Sequence, residues 1–191
     1  MSRLYVVSAS TRPASAGRPL AQWVAELARE HQEFEATLID LAEVRLPFHE
    51  EQEHPSTGSY VHQHTKDWSA AIDAADCFVF VMPMYNGGFS AALKNAIDYL
   101  CKEWQSKPVG LISYSSGTSG GAPAIEMLRP VLARVGLRPA ATLSVPGIEH
   151  RGDTEGRFLA EPLLAQQAHG VLDSVADAME ERRAFEGTLQ G

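Results

Sequence analysis

The stretch that most constrains the fold is residues 77–100, CFVFVMPMYNGGFSAALKNAIDYL. Its first six residues form an unbroken apolar run that is rich in Phe and Val. A run this short and of this composition is typical of a strand buried on both faces, as in a parallel sheet. Pro83 has no N–H for a ladder hydrogen bond, so we expect the strand to end there.

A tight loop and a helix are predicted to follow this strand. Gly87 and Gly88 allow the backbone of the loop to come close to a neighbouring group, and Ser90 is placed to cap a helix. Apolar residues then recur at helical spacing as far as Leu100. Open α/β sheets bind ligands at the carboxyl ends of their strands, so loop 83–88 is the first candidate for a functional site.

The same alternation of apolar runs and amphipathic helices continues along the chain. Further strands are predicted at 4–7, 34–39, 108–113 and 140–145, helices lie between the strands, and a last helix covers about 161–185. This rhythm predicts right-handed βαβ units in a three-layer sandwich. We expect an α/β, flavodoxin-like fold with the parallel strand order 2-1-3-4-5, in a single domain spanning 1–191.

In that order the loops after the first, third and fourth strands converge on one crevice. These are residues 8–17, 83–88 and 114–121, the three connections of unusual composition. The stretch 41–60 has no clear period, and an irregular loop of that length is either functional or mobile.

Composition excludes several classes of function. The net charge of −8 argues against general nucleic-acid binding, which needs clustered Lys and Arg. No apolar run reaches membrane-spanning length, and we expect a cytoplasmic protein without a membrane partner. Cys77 and Cys101 are interpreted as packing residues. The histidines near the long loop fit no common ligand pattern, so no metal site is predicted.

The first loop carries groups that suit a phosphate. It offers several hydroxyls, the guanidinium of Arg12, and Gly17, which lets the turn close. A polar turn with a capping Ser explains the composition equally well. The loop lacks the P-loop ending and the G-x-G-x-x-G pattern, so a mononucleotide such as FMN fits better than NAD or FAD.

Two segments resemble the NADPH-dependent FMN reductases, a family that includes azo, quinone and chromate reductases. Loop 8–17 is similar to the family's G-S-x-R segment, and PMYNGGFSAALKNAIDYL is similar to its P-E-Y-N-x-x-x-x-x-L-K-N-A-x-D segment. The resemblance covers about residues 1–145. Ala9 replaces the first Gly, which tightens the turn, and Met84 replaces the Glu, so a contact through that carboxylate is absent.

The resemblance implies an oxidoreductase that takes hydride from NADPH or NADH at the N5 atom of bound FMN. Electrons then pass to a second small-molecule acceptor: flavin, quinone, azo compound or metal oxyanion. No catalytic side chain is expected, because the chemistry takes place on the cofactor. The implied cofactor-binding residues are Ser10, Thr11, Arg12, Ser15 and Gly17 for the phosphate, Pro83, Met84, Tyr85, Asn86 and Gly87 for the ring, and Ser115, Ser116 and Gly117, with Tyr114, for its pyrimidine side.

Other interpretations stay open at this point. The glycines of the second and third loops would also suit turns that serve only packing and capping. A flavodoxin-type electron carrier without substrate chemistry is the alternative function, and a flavin-binding regulator is a weaker one. Phe89, Tyr99 and Trp104 give helix 89–104 more aromatic surface than its core needs, so we expect a homodimer or homotetramer through that helix. Glu103 is interpreted as part of a surface charge pair.

Overall fold

Five parallel strands form one sheet in the predicted order β2-β1-β3-β4-β5. The computed structural model describes residues 1–189 of the chain. The strands are β1 (Ser2–Ser8), β2 (Phe34–Asp40), β3 (Cys77–Pro83), β4 (Pro108–Tyr114) and β5 (Arg138–Val145). The flavodoxin-like α/β prediction is therefore confirmed.

Helices cover both faces of the sheet, so the layers are those of a sandwich. They are α1 (Gly17–Glu30), α2 (Leu41–Val44), α3 (Gln63–Ala74), α4 (Ala91–Asp98), α5 (Ala122–Val135) and α6 (Pro162–Leu189). The core residues of α1 and α6 belong to one apolar cluster, and those of α3, α4 and α5 belong to another. Every residue of β3 and β4 is buried, which explains their continuous apolar runs.

A glycine sets the end of α5. Gly136 has φ = 81°, and its N–H bonds back to the last turn, so it ends the helix as a left-handed residue. Gly110 in β4 has a different role, because a Cβ there would lie 2.7 Å from Val171 Cγ1. Its missing side chain lets α6 pack closely on the sheet.

The predicted helix 89–104 is wrong in its second half. Helix α4 ends at Asp98, and a separate 3-10 turn, Lys102–Trp104, carries the chain inward. Trp104 is 1% exposed and packs edge-on against Phe78, and Tyr99 is fully buried. Two of the three aromatic residues behind the oligomer prediction therefore lie inside the subunit, Phe89 is half-buried, and the homodimer or homotetramer stays a prediction.

The stretch 41–60 is also more ordered than expected. Asp40 caps the short helix α2 through the N–H of Ala42. Residues 45–62, called the strap below, then run beside α4. Asn95 Nδ2 donates to the carbonyl of Pro47, and Asn95 Oδ1 accepts the N–H of His49. Helix α4 therefore fixes the position of the strap.

A buried carboxylate holds the far end of the strap. Glu51 accepts the backbone N–H groups of Val61 and His62 at 2.8 and 3.0 Å. Burial alone would raise its pKa, but the nearby Thr65 side chain and the hydrogen bonds from the N–H groups of Val61 and His62 outweigh that effect and lower it to about 2. The same arrangement recurs at Glu103, which is buried and accepts from Tyr60 and Ser69, so the surface charge pair predicted there is wrong.

Candidate functional site

The carboxyl ends of β1, β3 and β4 bring three turns together. They are the hydroxyl turn (8–17), the hairpin turn (85–88) and the glycine turn (115–121). The first two meet directly, since the Ser10 and Tyr85 hydroxyl oxygens lie 2.9 Å apart. The ladder sets this meeting: Ser8 pairs with Val81, and Pro83 pairs with Tyr114. The predicted convergence is therefore observed between the first two turns.

An open cavity of about 330 Å³ lies between the three turns. Its walls come from the hydroxyl turn, the end of β3, the end of β4 and the segment after β5. The lining residues are Arg12, Ala14, Ser15, Ala16, Pro83, Met84, Tyr85, Tyr114, Ser115, Ser116, Ile148 and Glu149. The cavity joins a cationic side, at Arg12, to a carboxylate at Glu149.

Tyr114 takes a different position from the one expected. Its hydroxyl lies 3.3 Å from Ser15 Oγ, so the side chain reaches the hydroxyl turn and not the glycine turn. Gly17 makes room for it, because a Cβ there would lie 2.0 Å from Tyr114 Cζ. Burial raises the pKa of Tyr114, which keeps the hydroxyl protonated as a donor. Gly17 therefore admits a tyrosine ring beside the first turn of α1.

The hairpin turn has a well-defined backbone. Tyr85 and Gly88 exchange both N–H···O bonds, at 2.8 and 3.0 Å, and the two residues between them have positive φ, 52° for Asn86 and 85° for Gly87. This is the geometry of a two-residue hairpin turn, which favours Asn-Gly. Within residues 1–189, the N–H groups of Asn86 and Gly87 have no protein acceptor.

The hydroxyl turn likewise leaves donors unused. Among the described residues, no protein group accepts the N–H of Thr11, Ala14, Ser15 or Ala16, which precede the 14-residue helix α1. Arg12 is exposed, and it has no ion-pair partner in the described part of the chain. Free N–H groups at a helix N-terminus, together with a guanidinium, suit a phosphate or another anion.

The glycine turn is shaped by close backbone approaches. A Cβ on Gly120 would lie 2.7 Å from the backbone of Ser144, and Gly121, the residue before α5, has φ = 88°. Ser115 is held in place, since its N–H donates to Val145 and its carbonyl accepts from Ile148. The N–H groups of Ser116 and Gly117 have no protein acceptor between residues 1 and 189. They are available to a ligand.

The structure brings together only part of the predicted set. Eight of those residues line the cavity: Arg12, Ser15, Pro83, Met84, Tyr85, Tyr114, Ser115 and Ser116. Ser10 is buried behind Tyr85, Gly17 lies under Tyr114, and Asn86 and Gly87 form the hairpin tip. Thr11 and Gly117 line neighbouring cavities of about 310 and 370 Å³.

Sequence reasoning missed Ile148 and Glu149 as cavity residues. The signal was present, since they follow β5 at the same carboxyl edge of the sheet. Only the loops after three strands were considered there. The segment contributes because the carbonyl of Ser115 accepts the N–H of Ile148 and places its 3-10 turn beside the glycine turn.

Other classes of site find little support in the described residues. Residues 1–189 contain no group of three or more metal-ligating side chains, and none of their helices is long and apolar enough to cross a bilayer. Burial raises the pKa of the Cys77 thiol to about 12, which makes it inert at neutral pH.

Comparison with known proteins places the chain among flavin-dependent oxidoreductases. A family model described as NADPH-dependent FMN reductase matches residues 2–148. The chain is 36% identical over 143 residues, 74% of its length and 70% of the relative's, to an NAD(P)H-dependent FMN reductase of Schizosaccharomyces pombe. It is 32% identical over 134 residues, 70% of each chain, to an NADPH azoreductase of a Bacillus species.

Solved structures agree on the fold. The flavoenzyme NAD(P)H:(acceptor) oxidoreductase FerB of Paracoccus denitrificans superposes with a TM-score of 0.77 at 22% identity, covering 95% of this chain and 98% of that one. Sheet order, family match and sequence relatives therefore point the same way. The chain belongs to the NADPH-dependent FMN reductase family, and the prediction of an oxidoreductase of that family is confirmed.

Proposed function

We propose that this chain binds FMN non-covalently between its three turns and uses NADPH or NADH to reduce a second small-molecule acceptor. One observation carries the proposal. The cavity at the β1–β3 switch point is bounded by unused N–H donors and by Arg12, and both motifs of the family resemblance meet there.

The hydroxyl turn fits the phosphate end of FMN. Free backbone N–H groups precede α1, the Ser15 and Tyr114 hydroxyls lie 3.3 Å apart, and Arg12 is unpaired in the described chain. A dianionic phosphate is stabilised by such donors and by the positive end of a helix dipole. In this proposal Arg12 adds charge-assisted hydrogen bonds, and Tyr114 donates from the side of β4.

The hairpin and glycine turns fit the isoalloxazine ring. Pro83 and Met84 offer an apolar surface on one side of the cavity. The N–H groups of Asn86 and Gly87, and those of Ser116 and Gly117, can donate to ring heteroatoms that only accept hydrogen bonds. The wall built by β3 leaves the opposite side of the cavity free for a nicotinamide.

FMN held there by Arg12 and the free N–H groups of the turns would supply the redox chemistry between NADPH or NADH and the acceptor. The protein's own groups bind and orient, and none has to relay a proton. The cavity is open, so co-substrate and acceptor can enter in turn. The strap lies close to the same edge of the sheet, and we propose that it shapes the choice of acceptor.

The visible spectrum of the purified protein tests this proposal. We expect a yellow protein with flavin absorption whose bands bleach rapidly when NADPH is mixed in without oxygen. Bound flavin that NADPH does not bleach would favour an electron carrier. A protein that neither retains nor rebinds FMN would contradict the whole proposal.

Arg12→Ala tests the phosphate contact. Loss of a charge-assisted hydrogen bond costs about 1.5–3 kcal/mol, so we expect the Kd for FMN to rise by about 10- to 100-fold. Arg29→Ala is the matched control, because Arg29 is an exposed arginine in the last turn of α1, far from the hydroxyl turn that precedes this helix. Equal FMN affinity in the two variants, measured by fluorescence quenching, would overturn the assignment of Arg12.

A further inference from the structure

Glu149 is a carboxylate in a cavity whose other polar groups are mostly donors. It lines the cavity with Ser115 and Ser116 and follows β5, whereas Arg12 follows β1, with β3 and β4 between these two strands. It is also the first residue beyond the family match, which ends at residue 148. The expected binding residues do not include it, so its place in the cavity calls for a separate explanation.

The segment that carries Glu149 is fixed to the glycine turn. The N–H of Ile148 donates to Ser115, and Arg151 Nε donates to the carbonyl of Pro146 at 2.9 Å. The backbone N–H of Glu149 itself and the Ser116 side chain favour the ionised carboxylate and lower the pKa of Glu149. An ionised acceptor therefore lines the same cavity as Ser116, whose N–H has no protein acceptor within residues 1–189.

An acceptor close to free N–H donors is what one edge of a flavin needs. The pyrimidine edge carries a carbonyl, the N3–H group and a second carbonyl, so it needs a donor, an acceptor and a donor from the protein. An ionised carboxylate only accepts hydrogen bonds, and it suits N3–H. The positive charge of Arg12 and the negative charge of Glu149 also favour one orientation of the ligand in the cavity, with its phosphate at Arg12 and its imide at Glu149.

We propose that Glu149 is a specificity-determining residue that accepts the N3–H of the flavin and selects flavins with a free imide. The inference rests on the proposed function, because it assumes that FMN occupies this cavity. To the proposed function it adds a hydrogen bond at the isoalloxazine end of FMN, and this bond requires a free N3–H group on the flavin. The negative charge also disfavours further negative charge on the reduced pyrimidine, so Glu149 lowers the midpoint potential of bound FMN.

The test compares FMN with 3-methyl-FMN, which lacks the N3 proton. We expect the wild-type protein to bind FMN at least about 10-fold more tightly than the methylated analogue. Glu149→Leu, of similar size but without an acceptor, should weaken FMN binding about 10-fold and leave 3-methyl-FMN binding unchanged. Glu155→Leu is the control, because Glu155 is an exposed acid outside the cavity.

A second variant separates the hydrogen bond from the charge. Glu149→Gln keeps a carbonyl acceptor, so it should retain most of the preference for FMN, while the midpoint potential rises. If Glu149→Leu binds FMN as tightly as the wild type does, Glu149 contributes no hydrogen bond to the flavin and this inference is overturned. It is also overturned if the variant only gains affinity for 3-methyl-FMN, because Glu149 then acts by steric exclusion of the methyl group. Failure of the wild type to bind either flavin would instead overturn the proposed function itself.

Discussion

The three turns at the carboxyl edge and the strap differ in how side chains from the rest of the fold hold their backbone. In the turns, N–H groups at Thr11, Asn86 and Ser116 have no acceptor within residues 1–189. In the strap, Glu51 accepts two consecutive N–H groups, and Asn95 binds both a carbonyl and an N–H. Both regions consist largely of irregular chain. The comparison teaches that side chains of Glu51 and Asn95 anchor the strap, whereas the turns leave backbone donors beside an open cavity.

The largest effect is expected at Gly17, where the start of α1 packs against Tyr114 at the end of β4. Gly17→Ala places a methyl group where the Tyr114 ring lies, so we expect a loss of about 3 kcal/mol in unfolding free energy and impaired FMN binding. Gly152→Ala is the control, since a Cβ at Gly152 meets nothing within 4 Å. Urea unfolding measures the stability of both variants. A Gly17→Ala protein as stable as the control would contradict the close packing.

Removal of the strap's buried carboxylate should come next. Glu51→Gln replaces an acceptor of two N–H groups by an amide that satisfies only one of them, at a cost of about 2 kcal/mol. FMN affinity should change less than about threefold, because the strap lies outside the cavity. Glu50→Gln, at the exposed neighbouring position, serves as the control. A large loss of FMN affinity with unchanged stability would show that the strap, and not only the turns, contributes to FMN binding.

The same carboxylate predicts a dependence on pH. Its pKa falls from 4.5 to about 2 in the folded protein, so its contribution to stability is complete above about pH 4.5 and is lost as the pH falls towards 2. Urea unfolding at pH 6 and pH 3 should show a smaller pH effect for Glu51→Gln than for the wild type. Identical pH dependence of the two proteins would contradict this role.

A smaller effect is expected at Tyr114. Tyr114→Phe keeps the ring over Gly17 but removes the hydroxyl that faces Ser15, so folding stability should change by less than about 1 kcal/mol. The Kd for FMN should rise about fivefold. Tyr5→Phe, on the sheet away from the cavity, is the control. Unchanged FMN affinity would show that Tyr114 only packs.

The smallest effect is expected at Thr11. Its side chain lines the neighbouring cavity with Leu41 and Arg45, so Thr11→Val should change the Kd for FMN by less than about twofold. Ser15→Ala, inside the main cavity, should have a larger effect. If Thr11→Val is the more damaging substitution, the phosphate lies on the other side of the hydroxyl turn.

The sequence predicted most where a local rule applies. The apolar runs predicted the strands, and Gly87 and Gly88 predicted a tight turn after β3. Prediction failed where long-range packing decides. Nothing local shows that the chain turns inward after Asp98, so Trp104 and Glu103 were assigned to a surface, although both are buried.

For the site, the order of elements was enough to bring the hydroxyl and hairpin turns together. Side-chain direction was not predictable, and Tyr114 is the example, since it points to Ser15 and not along its own loop. Glu149 was missed because its 3-10 turn reaches the cavity through a backbone hydrogen bond to the glycine turn.

By itself, the sequence determined the sheet, the strand order and the family motifs, because hydrophobic period and turn chemistry act over a few residues. The tertiary structure alone decided which hydroxyls face one another, which carboxylates are buried and which donors stay free. These features depend on contacts between residues far apart in the chain, such as Ser10 with Tyr85 and Gly17 with Tyr114, and no local pattern encodes them.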